Sequence, residues 1–122
     1  AWIHFRGRIS DEELVDTYRR AWVVASASLS EGWGMSLTEA ARCGTPAVAT
    51  RISGHVDAVA EGVSGFLVDD QFELVERLVQ LLSDSELRNN LGGSAEEWSS
   101  RFDWERSATE TFRVLASTAL RG

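Results

Sequence analysis

Two carboxylates, Glu31 and Glu39, stand eight positions apart in a stretch that reads S-E-G-W-G-M-S-L-T-E-A-A-R-C-G-T-P over residues 30–46. Between them lie Gly32, Trp33, Gly34, Met35 and Ser36. An apolar run over residues 22–27, β-branched at Val23 and Val24, precedes the pair, and an apolar helical run closed by Gly44 follows it. A strand, a glycine-containing turn and a helix start, in that order, set free backbone N–H groups and the positive end of a helix dipole beside the acids. Such a setting favours an anion such as phosphate. Glycine there lets the backbone approach a ligand with no side chain in the way. Each acid also has a purely structural reading. Ser36-Leu37-Thr38-Glu39 has the spacing of a capping box, in which Glu39 serves its own helix. Glu31 at a strand exit reads equally as a solvated loop acid, and beside phosphate it needs some other partner.

The elements that must position these residues follow from patterning. Strand-like runs occupy residues 2–5, 22–27, 47–50 and 66–68. A capping box at Ser10-Asp11-Glu12-Glu13 opens a helix to about residue 21, with Leu14 and Tyr18 one turn apart on a buried face. A second helix follows Glu39, and a short third one covers 55–61 with Val56, Val59 and Ala60 on one side. Gly54 reads as the cap that opens it. Strands alternating with helices of this length imply parallel βαβ units. The fold class expected is therefore α/β, a Rossmann-like parallel sheet of about four strands with a helical C-terminal tail. In that tail Val75, Leu78, Val79 and Leu82 share one face of a helix over 72–83. Leu87, Leu91 and Trp98 form a second stripe, interrupted by Gly92-Gly93. Ala108, Phe112, Leu115 and Ala119 form a third, after Asp103 as N-cap. Pro46, the only proline, stands where a strand starts.

Composition narrows the classes. At 122 residues with 43% apolar content, one small domain with its own core is expected. Net charge is −7, and residues 61–122 hold six arginines against twelve acids. That balance argues against nucleic acid or an anionic membrane as partner. No apolar run approaches the roughly 20 residues of a membrane span. A single cysteine, Cys43, suits a reducing cytoplasm and reads as a buried structural thiol. His4 and His55 have no partner visible in sequence, and no spacing suggests a metal site, so neither metal nor cofactor is expected. The chain opens on a strand-like run and holds its only methionine at Met35, so it reads as a piece of a longer protein.

A resemblance joins these features. Glu31, seven residues and Glu39, inside E-G-W-G-M-S-L-T-E-A, is similar to the E-x7-E signature of the retaining, nucleotide-sugar-dependent glycosyltransferases of family four. A-A-R-C-G-T-P-A-V-A-T, S-G-H-V-D-A-V and G-V-S-G-F-L-V-D-D follow in that family's order. The resemblance implies that residues 1–122 are part of the nucleotide-sugar-binding C-terminal domain of a GT-B enzyme. It implies Glu39 on the ribose hydroxyls and Glu31, as the catalytic position, on the donor sugar near the anomeric centre. It implies the backbone of Gly32, Trp33, Gly34, Met35 and Ser36 on the sugar and diphosphate, and Arg8 at the base pocket. The side chains of Trp33 and Met35 read as packing residues. Implied partners are a nucleotide sugar, an unknown acceptor and an N-terminal domain of the same protein, with no essential metal.

Two departures carry consequences. All twelve cations are arginine, so the lysine that helps hold the family's diphosphate is not in this chain, and the piece is expected to be inactive alone. The family's strand order is 3-2-1-4-5-6, and the four runs here match strands three to six. Residues 2–5 would then lie two missing strands away from 22–27. Right-handed crossovers would put the remaining helices on one face, leave the other bare, and favour self-association. Two other readings stand beside this one. A sugar-nucleotide epimerase of GT-B fold shares the donor-side chemistry. A receiver-like signalling module needs acids at strand ends and a late lysine, which the chain lacks.

Overall fold

A computed structural model describes residues 2–121. Three strands, β1 (Val24–Ser26), β2 (Ala47–Thr50) and β3 (Gly65–Val68), form one parallel sheet in the order β1-β2-β3. Val24 pairs with Ala47, and Ala47 in turn with Gly65. Six helices accompany them: α1 (Asp11–Arg20), α2 (Met35–Arg42), α3 (Ser53–Val56), α4 (Gln71–Ser83), α5 (Ser85–Ser99) and α6 (Trp104–Ala119).

Alternate strand residues enter two cores. Ala47, Ala49 and Leu67 meet Leu37 of α2 and Ala58 and Val59, with Val24 packed against them. Val48, Phe66 and Val68 meet Leu81 of α4 and Leu91 of α5, with Val23, Leu74, Leu78 and Leu87 around them. Both faces are thus covered, which is why the strands show no polar alternation. The bare second face expected from the sequence is absent because α4 and α5 fill it. The open edge of β1 is what remains of the case for self-association.

Residues 2–5 are a second correction. They form no strand, and Trp2 and Phe5 are 90% and 96% exposed. A parallel strand exists only where a neighbour accepts its N–H groups, and no described strand lies beside this segment. The sheet therefore has three strands rather than about four.

Helix ends follow local chemistry in four of six cases. Ser10 and Glu13 make the reciprocal capping box of α1, with Glu13 N–H donating to Ser10 Oγ at 3.1 Å and Ser10 N–H to Glu13 Oε2 at 3.0 Å. Asp70, Asp84 and Asp103 cap α4, α5 and α6 through their side chains. α3 covers only residues 53–56, short of the run to 61 expected, and Gly54 lies inside it rather than capping it. α4 turns Leu74, Leu78 and Leu81 to the sheet and leaves Val75, Val79 and Leu82 exposed, so of the expected face only Leu78 docks. Arg77 crosses the Phe66 ring at 4.3 Å on the docked side. Gly92-Gly93 does not interrupt α5. A Cβ at Gly92 would stand 2.4 Å from the Gly44 carbonyl oxygen, so glycine is what lets α5 reach the end of α2. Cys43 is half-buried at the C-cap of α2, not fully buried. α6 buries none of its residues, and its expected stripe of Phe112 and Leu115 faces solvent.

Candidate functional site

Ser26, Glu31, Thr50 and His55 gather at the C-terminal ends of β1 and β2, the sheet edge where open α/β folds bind ligands. After β1 the chain turns through Ser28 to Glu31 and enters α2. After β2 it turns at Thr50 into α3. The two turns are locked together. Gly34 N–H donates to the Gly54 carbonyl at 2.9 Å. A Cβ at Gly54 would stand 2.3 Å from the Glu31 carbonyl oxygen, and one at Gly34 would stand 2.8 Å from Leu37 and 3.2 Å from the His55 ring. Gly54 is therefore required by close approach to backbone, whereas Gly34 is crowded by side chains alone.

His55 lies beneath this junction and is wholly buried. Its Nε2 is 2.7 Å from Glu31 Oε2 and 3.3 Å from Ser26 Oγ. Its Nδ1 is 2.7 Å from the Thr50 carbonyl and 3.2 Å from Thr50 Oγ1, whose hydroxyl donates to the Ser28 carbonyl. Glu31 keeps about a third of its side chain in solvent, 37%. Sequence reading missed His55 because its partners lie 24 and 29 positions away and no local pattern points to them.

Glu39 sits elsewhere on α2 with a different support. The expected capping box at residues 36–39 is absent: α2 begins at Met35, its N-cap is Gly34, and no side chain caps it. Glu39 is thus past the first turn, exposed, and accepts a hydrogen bond from Tyr18 Oη at 3.1 Å on Oε2. Burial first, then the Glu39 carboxylate, pushes the Tyr18 phenol up to about 12, so it stays a donor at neutral pH.

The uncapped α2 start presents Met35 and Ser36, both exposed, while Gly32 lies open and Gly34 is buried. The Trp33 side chain turns away to pack edge-on against Phe102, which packs edge-on against Trp98. Arg8 is exposed in the irregular segment before α1, and no described contact brings it to the two glutamates. Among the described residues no group of three His, Cys, Asp or Glu side chains could hold a metal ion, and no helix is long and apolar enough to cross a membrane. A surface cavity of about 630 Å³ lies by the α5–α6 turn among Trp98, Arg101 and Asp103, and neither glutamate lines it. Glu31, Met35, Ser36 and Glu39 are all exposed on the segment that follows β1.

Residues 1–98 match the family described as Glycosyl transferases group 1. The chain belongs to the group 1 glycosyl transferases. It is 44% identical over 108 residues to the D-inositol 3-phosphate glycosyltransferase of Corynebacterium urealyticum, covering 87% of this chain and 26% of that protein. Among solved structures of the same architecture, sucrose-phosphate synthase from Thermosynechococcus elongatus superposes with a TM-score of 0.84. Its identity is 28%, over 98% of this chain and 31% of that one. HepE from Anabaena in complex with UDP-glucose superposes at 0.76 with 27% identity, over 86% of this chain and 30% of that one. This group 1 chain spans about a quarter of the length of the curated relatives it matches.

Proposed function

We propose that the chain is the donor-binding part of a glycosyltransferase that moves a sugar from a nucleotide-diphosphate sugar to an acceptor with retention. The observation that carries this is the run of exposed groups after β1: Glu31 held by the buried His55, an α2 N-terminus left free of side-chain caps, and Glu39 beyond it. A carboxylate at Glu39 has room for about four acceptor contacts, so Tyr18 leaves capacity for both ribose hydroxyls. The backbone of residues 32–36 meets the sugar and diphosphate through N–H groups and the helix dipole. Glu31 lies on the donor sugar, where negative charge stabilises the positive charge that develops at the anomeric centre in the transition state. Arg8 is assigned to the base pocket on the family resemblance alone. The UDP-glucose complex of HepE supports a nucleotide sugar as the donor class.

The rest of the site, with the acceptor contacts and the cationic groups that complete diphosphate binding, belongs to an N-terminal domain of the same protein. Alone, this chain transfers no sugar, because a diphosphate without its cations loses charge-assisted hydrogen bonds worth ~1.5–3 kcal/mol each. The setting is cytoplasmic, and association of the isolated chain through the open edge of β1 is tested by sizing it in dilute solution. The deciding experiment uses the full-length protein with UDP-glucose as donor and D-inositol 3-phosphate as the first acceptor offered, alongside other nucleotide sugars in a thermal-shift screen. A glycoside product with the donor's anomeric configuration is expected from one of these donors. A donor sugar released only in altered form, with no transfer, identifies an epimerase instead.

A further inference from the structure

The geometry points to His55 as the positioning residue that fixes Glu31 and thereby sets which donor sugars the site accepts. The inference rests on the assignment of Glu31 to the donor sugar. A buried histidine that only filled space would need partners for its nitrogens but not these partners. Here the ring joins three separate pieces of chain: the last residue of β1 (Ser26), the last residue of β2 (Thr50) and the loop acid. The strand ends belong to a paired sheet with both faces covered. The Glu31 carboxylate is thus referenced to the paired, packed sheet, although its backbone lies in a loop.

Proton counting makes the clamp directional. The Thr50 carbonyl can only accept, so Nδ1 carries a hydrogen, and Nε2 meets a carboxylate oxygen at 2.7 Å with one further proton between them. The Thr50 hydroxyl and the Ser26 hydroxyl complete the ring's surroundings, and no buried side-chain nitrogen or oxygen among the described residues lacks a partner. With Oε2 engaged by the ring, Oε1 is left as the oxygen for a sugar hydroxyl. One fixed acceptor reads the position of one hydroxyl. A freely rotating carboxylate would serve several sugars equally, which is how a ring that touches no substrate governs selectivity.

The test measures binding of UDP-glucose, UDP-galactose and UDP to the full-length protein, in a double-mutant cycle of His55→Gln and Glu31→Gln. His55→Gln keeps a polar group that reaches Glu31 or Thr50 but not both. Expected results are a loss of about tenfold or more in the affinity that glucose adds over UDP, a narrowing of the preference between the two sugars, and UDP affinity within about twofold of wild type. In the Glu31→Gln background His55→Gln should then add little. Additive losses, or equal losses for UDP and UDP-glucose, overturn the positioning role and leave His55 a plain core residue. Unchanged sugar-dependent affinity in Glu31→Gln overturns the assignment of Glu31 itself, a separate result. A second readout covers poor folding of the variant: in the nitrogen-15 spectrum of the full-length wild type, the protected ring N–H that disappears in His55→Gln should move in Glu31→Gln. An unmoved ring signal refutes the clamp in solution.

Discussion

Glu31 and Glu39 are the same residue type on one stretch of chain, yet the structure supports them in opposite ways. Glu31 is held at a junction where two glycines, a backbone hydrogen bond and a buried imidazole all fix one position. Glu39 stands on an exposed helix surface with one phenol on one oxygen. The first corner tolerates almost no change, because backbone meets backbone there. The second tolerates more, because its only described side-chain partner is the half-buried Tyr18 phenol. A carboxylate that must lie at a reacting centre gains from the first kind of support. One that grips hydroxyls on a pendant ring can adjust.

Substitutions sharpen that contrast. Gly54→Ala should have the largest effect, since its Cβ would stand 2.3 Å from the Glu31 carbonyl oxygen and one backbone must yield. A loss of about 3 kcal/mol or more in urea unfolding is expected, with loss of sugar binding; a wild-type midpoint would show the junction is loose. Next, Glu39→Gln in the full-length protein should weaken UDP and UDP-glucose alike, by about tenfold, while Glu31→Gln should weaken only the sugar conjugate. Titration calorimetry with both ligands separates the two patterns, and identical patterns would erase the distinction between the corners.

Thr50→Val removes a hydroxyl that serves both the Ser28 carbonyl and the His55 ring, so about 1 kcal/mol of stability should go. Tyr18→Phe, at the exposed corner, should cost less than that by the same unfolding measurement. The smallest effect is spectroscopic. Tyr18 is the only tyrosine, so its ultraviolet titration is unambiguous, with a midpoint of about 12 against an ordinary 10. The stability this contributes is complete below pH 10 and is lost as pH rises through about 12. Glu39→Gln should lower the midpoint only in part, because burial is the larger cause.

What the sequence made legible follows the range of the interactions involved. The three sheet strands, the Ser10–Glu13 box and the Asp103 cap rest on residues within a few positions of each other, and all stand as expected. The box at Ser36–Glu39 was also local, but Gly34 and the Gly54 contact start the helix two residues earlier and override it. The segment 2–5 has the composition of a strand and no neighbour to make it one. On α4, periodicity gave the stripe of Val75, Leu78, Val79 and Leu82, but the face that docks is Leu74, Leu78 and Leu81, settled only by contact with the sheet. His55 was invisible for the same reason: its meaning is entirely in contacts across the fold.

The all-parallel sheet has a consequence for how the chain comes to possess a site at all. No hairpin can start it, because each pairing closes across a crossover: Val24 with Ala47, 23 positions on, and Ala47 with Gly65, 18 positions on. Closing such spans costs chain entropy before any contact returns it, so assembly is slow compared with local hairpin or helix formation. Residues 31–39 lie inside the first of those spans. A nascent chain that has made β1 and α2 but not β2 carries both glutamates, yet Glu31 then has neither the His55 ring nor the Thr50 strand end to hold it.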